Sequence, residues 1–223
     1  MAEAALPTAG VTETSFAGLR IRYDERVLAP RQWTVLQSRW AAELLDVLPA
    51  GRVLELCCGA GQIGLAAVAT SSRELVCVDR DPAAAAYATA NAAGAGLNHR
   101  VEVRQASLDA AVGASERFAL VVADPPWVPS AEIGRWPEDP PGAIDGGADG
   151  LGAARRCLEV AAAHLMPGGA VLLQLGSVEQ ADDLSGRATE FGLQRDELRL
   201  GRRGVVARFS HAAGGRPAPA RRP

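Results

Sequence analysis

Val53-Leu54-Glu55-Leu56-Cys57-Cys58-Gly59-Ala60-Gly61-Gln62-Ile63-Gly64 joins a short apolar run to a glycine loop and then to the first turn of a helical stretch. The run Val53–Leu56 has the length and apolar character of a buried parallel strand. Gly59, Gly61 and Gly64 then give the pattern G-x-G-x-x-G. Asp79 ends the next apolar run, Leu75–Val78, about 20 residues after the loop begins. Glycines at such a junction let a ligand lie against the main chain, and an acid at the end of the second strand accepts hydrogen bonds from ribose hydroxyls. A glycine pattern alone arises by chance in tight turns. Inside a strand, loop, helix, strand and Asp unit it predicts a nucleoside-containing cofactor. The alternative for Asp79 is a cap on the helix that follows Asp81-Pro82.

The same alternation extends outward from this unit. Val101–Val103, Leu120–Ala123 and Val171–Leu175 are further strand-like runs, separated by helical stretches of which Gln62–Thr70, Ala83–Gly94 and Leu151–Leu165 are the clearest. Met166-Pro167-Gly168-Gly169 is a helix stop. Strands alternating with crossover helices require a parallel sheet with helices on both faces. After a helix near Ser177–Phe191, the segments Leu193–Leu200 and Gly204–Ser210 flank Gly201-Arg202-Arg203 as an antiparallel hairpin. The expectation is an α/β fold with a Rossmann-like, doubly wound, mostly parallel seven-stranded sheet closed at one edge by that hairpin. Upstream, Leu19, Ile21 and Tyr23 alternate as a short strand, and Gln32–Leu48 has helical periodicity. Residues 1–14 and the Gly/Pro/Arg-rich residues 212–223 read as disordered tails around one domain, 15–211.

Composition removes several classes of function. No run approaches the roughly 18 apolar residues of a membrane span, and the N-terminal residues lack a signal-peptide pattern, so a cytoplasmic protein is expected. A formal charge of −3, with all 23 basic residues Arg, disfavours a nucleic-acid binder. Cys57, Cys58, Cys77 and Cys157 form no C-x-x-C pair, and three histidines add no ligand spacing, so no metal site is expected. Free thiols are the reading for the adjacent Cys57 and Cys58.

NAD and S-adenosylmethionine both use this loop geometry. Glu55, beside the loop, discriminates between them: a carboxylate repels a pyrophosphate and attracts the ammonium and sulfonium of S-adenosylmethionine. Its alternative role is as a partner of the helix N-terminus. Glu55-Leu56-Cys57-Cys58-Gly59-Ala60-Gly61 resembles the first motif of class I S-adenosylmethionine-dependent methyltransferases, with Cys57 where that family usually has glycine. The resemblance implies Glu55 near the methionine amine, Cys57, Gly59 and Gly61 along the ligand, and Asp79 on the ribose. Ser107 stands where the family often has an acid for the adenine amino group. A non-glycine residue at Cys57 implies strain if the backbone there is left-handed.

Asp124-Pro125-Pro126-Trp127 follows the strand-like run Leu120–Ala123, at the carboxyl edge where ligands of such sheets bind. The nitrogen of a planar NH2 group has its lone pair delocalised and is a poor nucleophile. Two acceptors, the Asp124 carboxylate and the Pro125 carbonyl, would hold both N–H bonds and turn the nitrogen toward tetrahedral geometry. Trp127 would stack on the planar group and exclude water. An ordinary Pro-Pro turn is the alternative.

The tetrapeptide resembles the (Asn/Asp)-Pro-Pro-(Tyr/Phe/Trp) motif of methyltransferases acting on amide or exocyclic nitrogen. Val27-Leu28-Ala29-Pro30-Arg31-Gln32-Trp33-Thr34 and Ala143-Ile144-Asp145-Gly146-Gly147-Ala148-Asp149-Gly150-Leu151 are similar to two segments of the glutamine N5-methyltransferases that modify release factors. Those enzymes usually show Asn at the Asp124 position and Tyr at the Trp127 position, and carry an N-terminal recognition domain. The resemblance implies an S-adenosylmethionine-dependent N-methyltransferase acting on a protein glutamine or a small-molecule amide or amine. Adenine N6 methylation and an NAD-dependent oxidoreductase are the alternatives. Trp33 and Trp136 belong to segments that could fold over the site; helix packing is the favoured reading for Trp33, a substrate lid over Ser130–Gly142 the reading for Trp136, and packing or capping that for His164.

Overall fold

The computed structural model describes residues 10–212, so the tails expected over 1–9 and 213–223 lie outside the described residues. The chain runs β1 (Thr12–Phe16), β2 (Leu19–Tyr23), α1 (Val35–Leu45), β3 (Arg52–Leu56), α2 (Gln62–Val68), β4 (Leu75–Asp79), α3 (Pro82–Gly94) and β5 (Val101–Gln105). It continues with β6 (Phe118–Ala123), α4 (Pro141–Ile144), α5 (Gly152–His164), β7 (Leu165–Leu175), α6 (Val178–Ala188), β8 (Leu193–Leu200) and β9 (Val205–His211). Seven strands form one sheet in the order β5-β4-β3-β6-β7-β9-β8. The first five are mutually parallel, and β9 and β8 close the edge antiparallel. This is the doubly wound sheet with an edge hairpin that the sequence predicts.

Each face of the sheet carries its own core, as alternating strand residues require. Val53, Leu75, Cys77, Leu120 and Val122 pack with α1, α2 and α3, while Leu54, Val76, Val121, Val171 and Leu173 pack with α5 and α6. Winding goes outward from β3 in both directions, first to β4 and β5 and then back across to β6 and β7. Such a reversal opens a crevice at the carboxyl ends of the two central strands. Leu56 and Ala123 are partners in register there, so the loop after β3 and the loop after β6 leave the sheet side by side.

Two boundaries differ from the sequence reading. Thr12–Phe16, largely within the expected tail, pairs antiparallel with β2 through the turn Ala17-Gly18, both at positive φ. Asn91 anchors this hairpin: its side chain accepts from Arg22 N at 2.8 Å and donates to the carbonyls of Arg22 and Ala60, each at 2.9 Å. The helix stop at Met166–Gly169 holds, but those residues already belong to β7 and form an irregularity in its pairing with β6. Gly169 is required there because a Cβ would press within 2.8 Å of the Ala119 carbonyl.

Candidate active site

The first loop is braced by its own hydrogen bonds. Cys57, Gly59 and Gly61 are all left-handed, with φ of 56°, 53° and 79°. Asp79 accepts from Gly59 N at 2.9 Å through one oxygen and from Asp81 N at 3.0 Å through the other. Asp81, not Asp79, caps α3, accepting from Ala83 N and Ala84 N. The cap alternative for Asp79 is therefore filled by its neighbour. Burial raises the Asp79 carboxyl, against two backbone hydrogen bonds that lower it.

Glu55 takes the place of its second reading, beside the helix N-terminus. Its carboxyl is 2% exposed and lies under the loop, accepting from Gly64 N at 3.0 Å in the first turn of α2 and from the Cys77 thiol at 3.4 Å. Residue 55 shares the side of β3 that Val53 turns toward α2, so strand alternation directs it into the layer. Burial pushes it up to about 8, against the Gly64 hydrogen bond that lowers it. The structure thus favours the helix-terminus alternative over a free carboxylate facing a ligand.

The glycines separate into two roles. A Cβ on Gly59 would stand in open space, leaving that face of the main chain free for a ligand, whereas one on Gly61 would crowd Ala88 and Leu65 at 3.2 and 3.3 Å. Cys57 is half-buried with its sulfur 3.9 Å from that of Cys157. Its thiol is raised by that contact, by burial, and by the nearby charges of Asp79 and Asp124. Ser107 is exposed just beyond β5, where the chain enters a short 3-10 turn.

The second loop is built differently. Asp124 is partly buried and its carboxylate has no hydrogen bond or ion pair among the described residues, so burial alone pushes it up to about 7. No hydrogen bond among the described residues falls on the Pro125 carbonyl either. These are the two acceptors singled out in the sequence, and both are left unused by the protein. The following segment is tied down: Val128 N donates to Ile144 O at 3.0 Å, Gly146 N to Val128 O at 2.8 Å, and Ser130 N to Gly147 O at 2.9 Å. The Ala143–Leu151 loop therefore pairs with the chain leaving the DPPW turn.

An open cleft lies against this turn, lined by Asp124–Val128, Leu28, Arg31, Trp33, Trp136 and Arg203 among others. Trp33, in the 3-10 turn Gln32–Thr34 that leads into α1, lines the cleft. Trp136 lines it from the other side of the sequence, in the Ser130–Gly142 segment. The Arg203 guanidinium lies over both indoles, 5.3 Å from Trp33 and 5.6 Å from Trp136, and Arg31 is 5.4 Å from Trp33 and paired with Asp139. His164 is structural, its ring Nδ1 hydrogen-bonded to the Glu116 carbonyl at 3.0 Å.

Residues 37–134 match the family described as methyltransferase small domain. That match takes in both the glycine loop and the DPPW turn. Among the similar proteins, the ribosomal protein uL3 glutamine methyltransferase of Bordetella pertussis is 34% identical over 179 residues, 77% of this chain and 60% of that protein. The release factor glutamine methyltransferase of Deinococcus radiodurans is 38% identical over 168 residues, 73% of this chain and 59% of that protein. The chain thus spans about 60% of the length of these methyltransferases. The fold is shared with the ribosomal protein L11 methylase of Lactobacillus delbrueckii subsp. bulgaricus, at TM-score 0.64 and 18% identity over 86% of this chain and 84% of that one. A methyltransferase from Pyrococcus furiosus gives 0.63 and 20% over 86% and 88%. Among the described residues, no helix is long and apolar enough to cross a membrane.

Four residues of the site have no role in the sequence reading. Gln37 of α1 donates from one amide nitrogen to Ala123 O at 2.9 Å and Leu172 O at 3.1 Å, fixing the strand end that launches Asp124. Asn91 fixes Ala60 from behind, Gln180 reaches the Trp127 carbonyl, and Arg203 sits on the cleft tryptophans. A glutamine on an apolar helix face, or an asparagine in the alanine-rich α3, is the sequence signal for the first two.

Proposed function

We propose that the protein is an S-adenosylmethionine-dependent N-methyltransferase whose acceptor is a planar amide nitrogen, with a glutamine side chain of a protein the favoured class. The observation that carries this reading is the pair of unused acceptors, the Asp124 carboxylate and the Pro125 carbonyl, adjacent in the chain on a cleft lined by Trp127. Two N–H bonds of one amide match two such acceptors, and an indole face matches the plane of the amide. The curated relatives named above support glutamine as the acceptor class, and they favour it over adenine and over hydride transfer to NAD.

The cofactor fits the first loop. Gly59 leaves a face of backbone open beside a left-handed turn, and Asp79 and Ser107 stand on the strand ends beyond it. Cys57, Gly59 and Gly61 would line the ligand, Asp79 would meet the ribose and Ser107 the adenine end, while Glu55 acts by holding the loop. S-adenosylmethionine supplies an electrophilic methyl on a sulfonium, which is already a good leaving group. Catalysis by the chain is then chiefly positioning. Asp124 and Pro125 hold the nitrogen, Trp127 covers it, and Asp124, poised near neutrality, takes the N–H proton as the nitrogen gains its fourth bond.

The test is methyl transfer from labelled S-adenosylmethionine into a lysate of cells lacking the gene, with the labelled species resolved by class. Label in protein, mapped to N5-methylglutamine by mass spectrometry, is the expected result. Label confined to nucleic acid, or stabilisation by NADH and not by S-adenosylhomocysteine in a thermal shift, overturns the reading.

A further inference from the structure

Ser177-x-x-Gln180 has the form of a helix capping box, in which the glutamine side chain turns back to the amide of the capping serine. Half of the box is made: Ser177 Oγ accepts from Gln180 N at 3.2 Å. The other half is redirected. Gln180 Oε1 accepts from Gly176 N at 2.8 Å, and its Nε2 donates to the Trp127 carbonyl at 3.0 Å, 53 positions away in the chain. The space around this link admits no extra side chains. A Cβ on Gly150 would run into the Trp127 carbonyl and lie 2.6 Å from Gln180 Nε2, and one on Gly176 would meet the Trp127 ring at Cζ3, 2.8 Å, and Gln180 Oε1, 2.9 Å. The end of β7, the first turn of α6 and the glycine loop before α5 therefore converge on one residue of the DPPW turn.

We propose that Gln180 is a positioning residue for methyl transfer, fixing the main chain of Trp127 and seating its ring on Gly176. The proposal rests on the reading of Trp127 as the residue that stacks on the acceptor. Asp124 is three residues upstream on a proline-stiffened turn, so one hydrogen bond at Trp127 O sets the far end of the whole acceptor element. Gln180 touches neither acceptor nor cofactor in this scheme. It acts through Trp127.

Gln180→Glu separates positioning from bulk packing. The shape and the acceptor for Gly176 N are kept, but an ionised carboxylate has no proton to give the Trp127 carbonyl, whereas a protonated one donates its O–H. Of the acids close in sequence to these groups, Asp149 is paired with Arg155 and Asp182 with Arg195, while Glu179 and Asp183 on α6 and Asp124 are common to parent and variant. The ratio of variant to parent at each pH isolates the introduced group. With labelled S-adenosylmethionine and a glutamine-containing peptide, Gln180→Leu is expected to lower kcat by about 100-fold with the KM for cofactor unchanged. Gln180→Glu should match that loss at pH 8 and recover toward the parent as pH falls to 5.

An acceptor-independent readout accompanies it. In a Trp33→Phe/Trp136→Phe background, where Trp40 is 1% exposed, acrylamide quenching reports Trp127. Quenching should rise toward that of free tryptophan in Gln180→Leu at every pH, and in Gln180→Glu only at high pH. Parental quenching in Gln180→Leu, or a Gln180→Glu variant that follows Gln180→Leu at all pH values, overturns the proposal. If Gln180→Leu does not fold, the pH ratio of Gln180→Glu decides alone. Quenching that follows pH while wild-type protein methylates no amide would sink the acceptor reading and leave the positioning role standing.

Discussion

The two loops that leave the sheet side by side are built on opposite rules. After β3, the loop is closed on itself: Gly59 N is taken by Asp79, Gly64 N by Glu55 and the Ala60 carbonyl by Asn91. After β6, the flanks are held by Gln37 and Gln180, but Asp124 and the Pro125 carbonyl between them are left without partners among the described residues. Buried or half-buried polar groups without partners are costly, and they persist where a ligand is to supply the missing bonds. The first loop therefore offers a shaped backbone and the second offers unspent hydrogen-bonding capacity. Recognition of the common cofactor can rest on shape, whereas activation of a nitrogen needs the free acceptors.

The sharpest way to break this contrast is at Asp124. Asp124→Ala removes the side-chain acceptor altogether, and methyl transfer should fall by about 100-fold or more while cofactor affinity by calorimetry stays within a few fold. Loss of cofactor binding instead would show that the loops are not separate in function. The wild-type rate should climb as pH rises through about 7, where the Asp124 carboxyl ionises. Stability should move the other way. The folded-state value lies above the ordinary 3.8, so the protonated form favours folding, and that stability is present at pH 4 and lost as pH rises through about 7. Melting temperature at pH 8 should therefore be higher for Asp124→Asn than for wild type, and the gap should close at pH 4.

At the first loop, Asp79→Ala leaves two backbone amides, those of Gly59 and Asp81, without an acceptor. Each costs roughly 1–3 kcal/mol if unsatisfied by water, and the loop should loosen. Weaker cofactor binding by about tenfold, with a lower melting temperature, is expected. Unchanged affinity would mean that the loop holds its shape without Asp79. Smaller again is Trp136→Ala on the cleft, which removes an indole from the face of Arg203 and should raise the acceptor KM by up to about tenfold with kcat nearly constant. A fall in kcat alone would move Trp136 from the lid to the chemistry.

The sheet was readable because five apolar runs and their crossover helices repeat the same periodicity, and because glycine and proline mark the junctions. The DPPW turn stands out in the sequence because its four residues are consecutive and directly follow a strand. Glu55 had two readings in the sequence, and strand alternation, which turns it under α2 to the Gly64 amide, is what a motif alone does not display. Gln37 and Gln180 act across 86 and 53 positions of sequence, so no local pattern reveals their partners. Gln180 even imitates a local capping box. Arg203 looks like a turn residue until the hairpin folds it over Trp33 and Trp136.

Cys57 gives the smallest and most local comparison, since it shares left-handed backbone with Gly59 and Gly61 but carries a side chain. A non-glycine residue there is disfavoured by roughly 1–2 kcal/mol. Cys57→Gly removes that strain but also removes the sulfur contact with Cys157 and frees the unfolded chain, which costs up to about 1 kcal/mol. The opposing effects leave a net change expected to be within about 1 kcal/mol by denaturant unfolding. Cys57→Val tests the strain separately, because a β-branched side chain tolerates positive φ least of all, and it should destabilise clearly more than Cys57→Gly. Equal effects from the two substitutions would show that the loop can leave the left-handed region without loss, and its shape would then not be what the hydrogen bonds of Asp79 and Asn91 maintain.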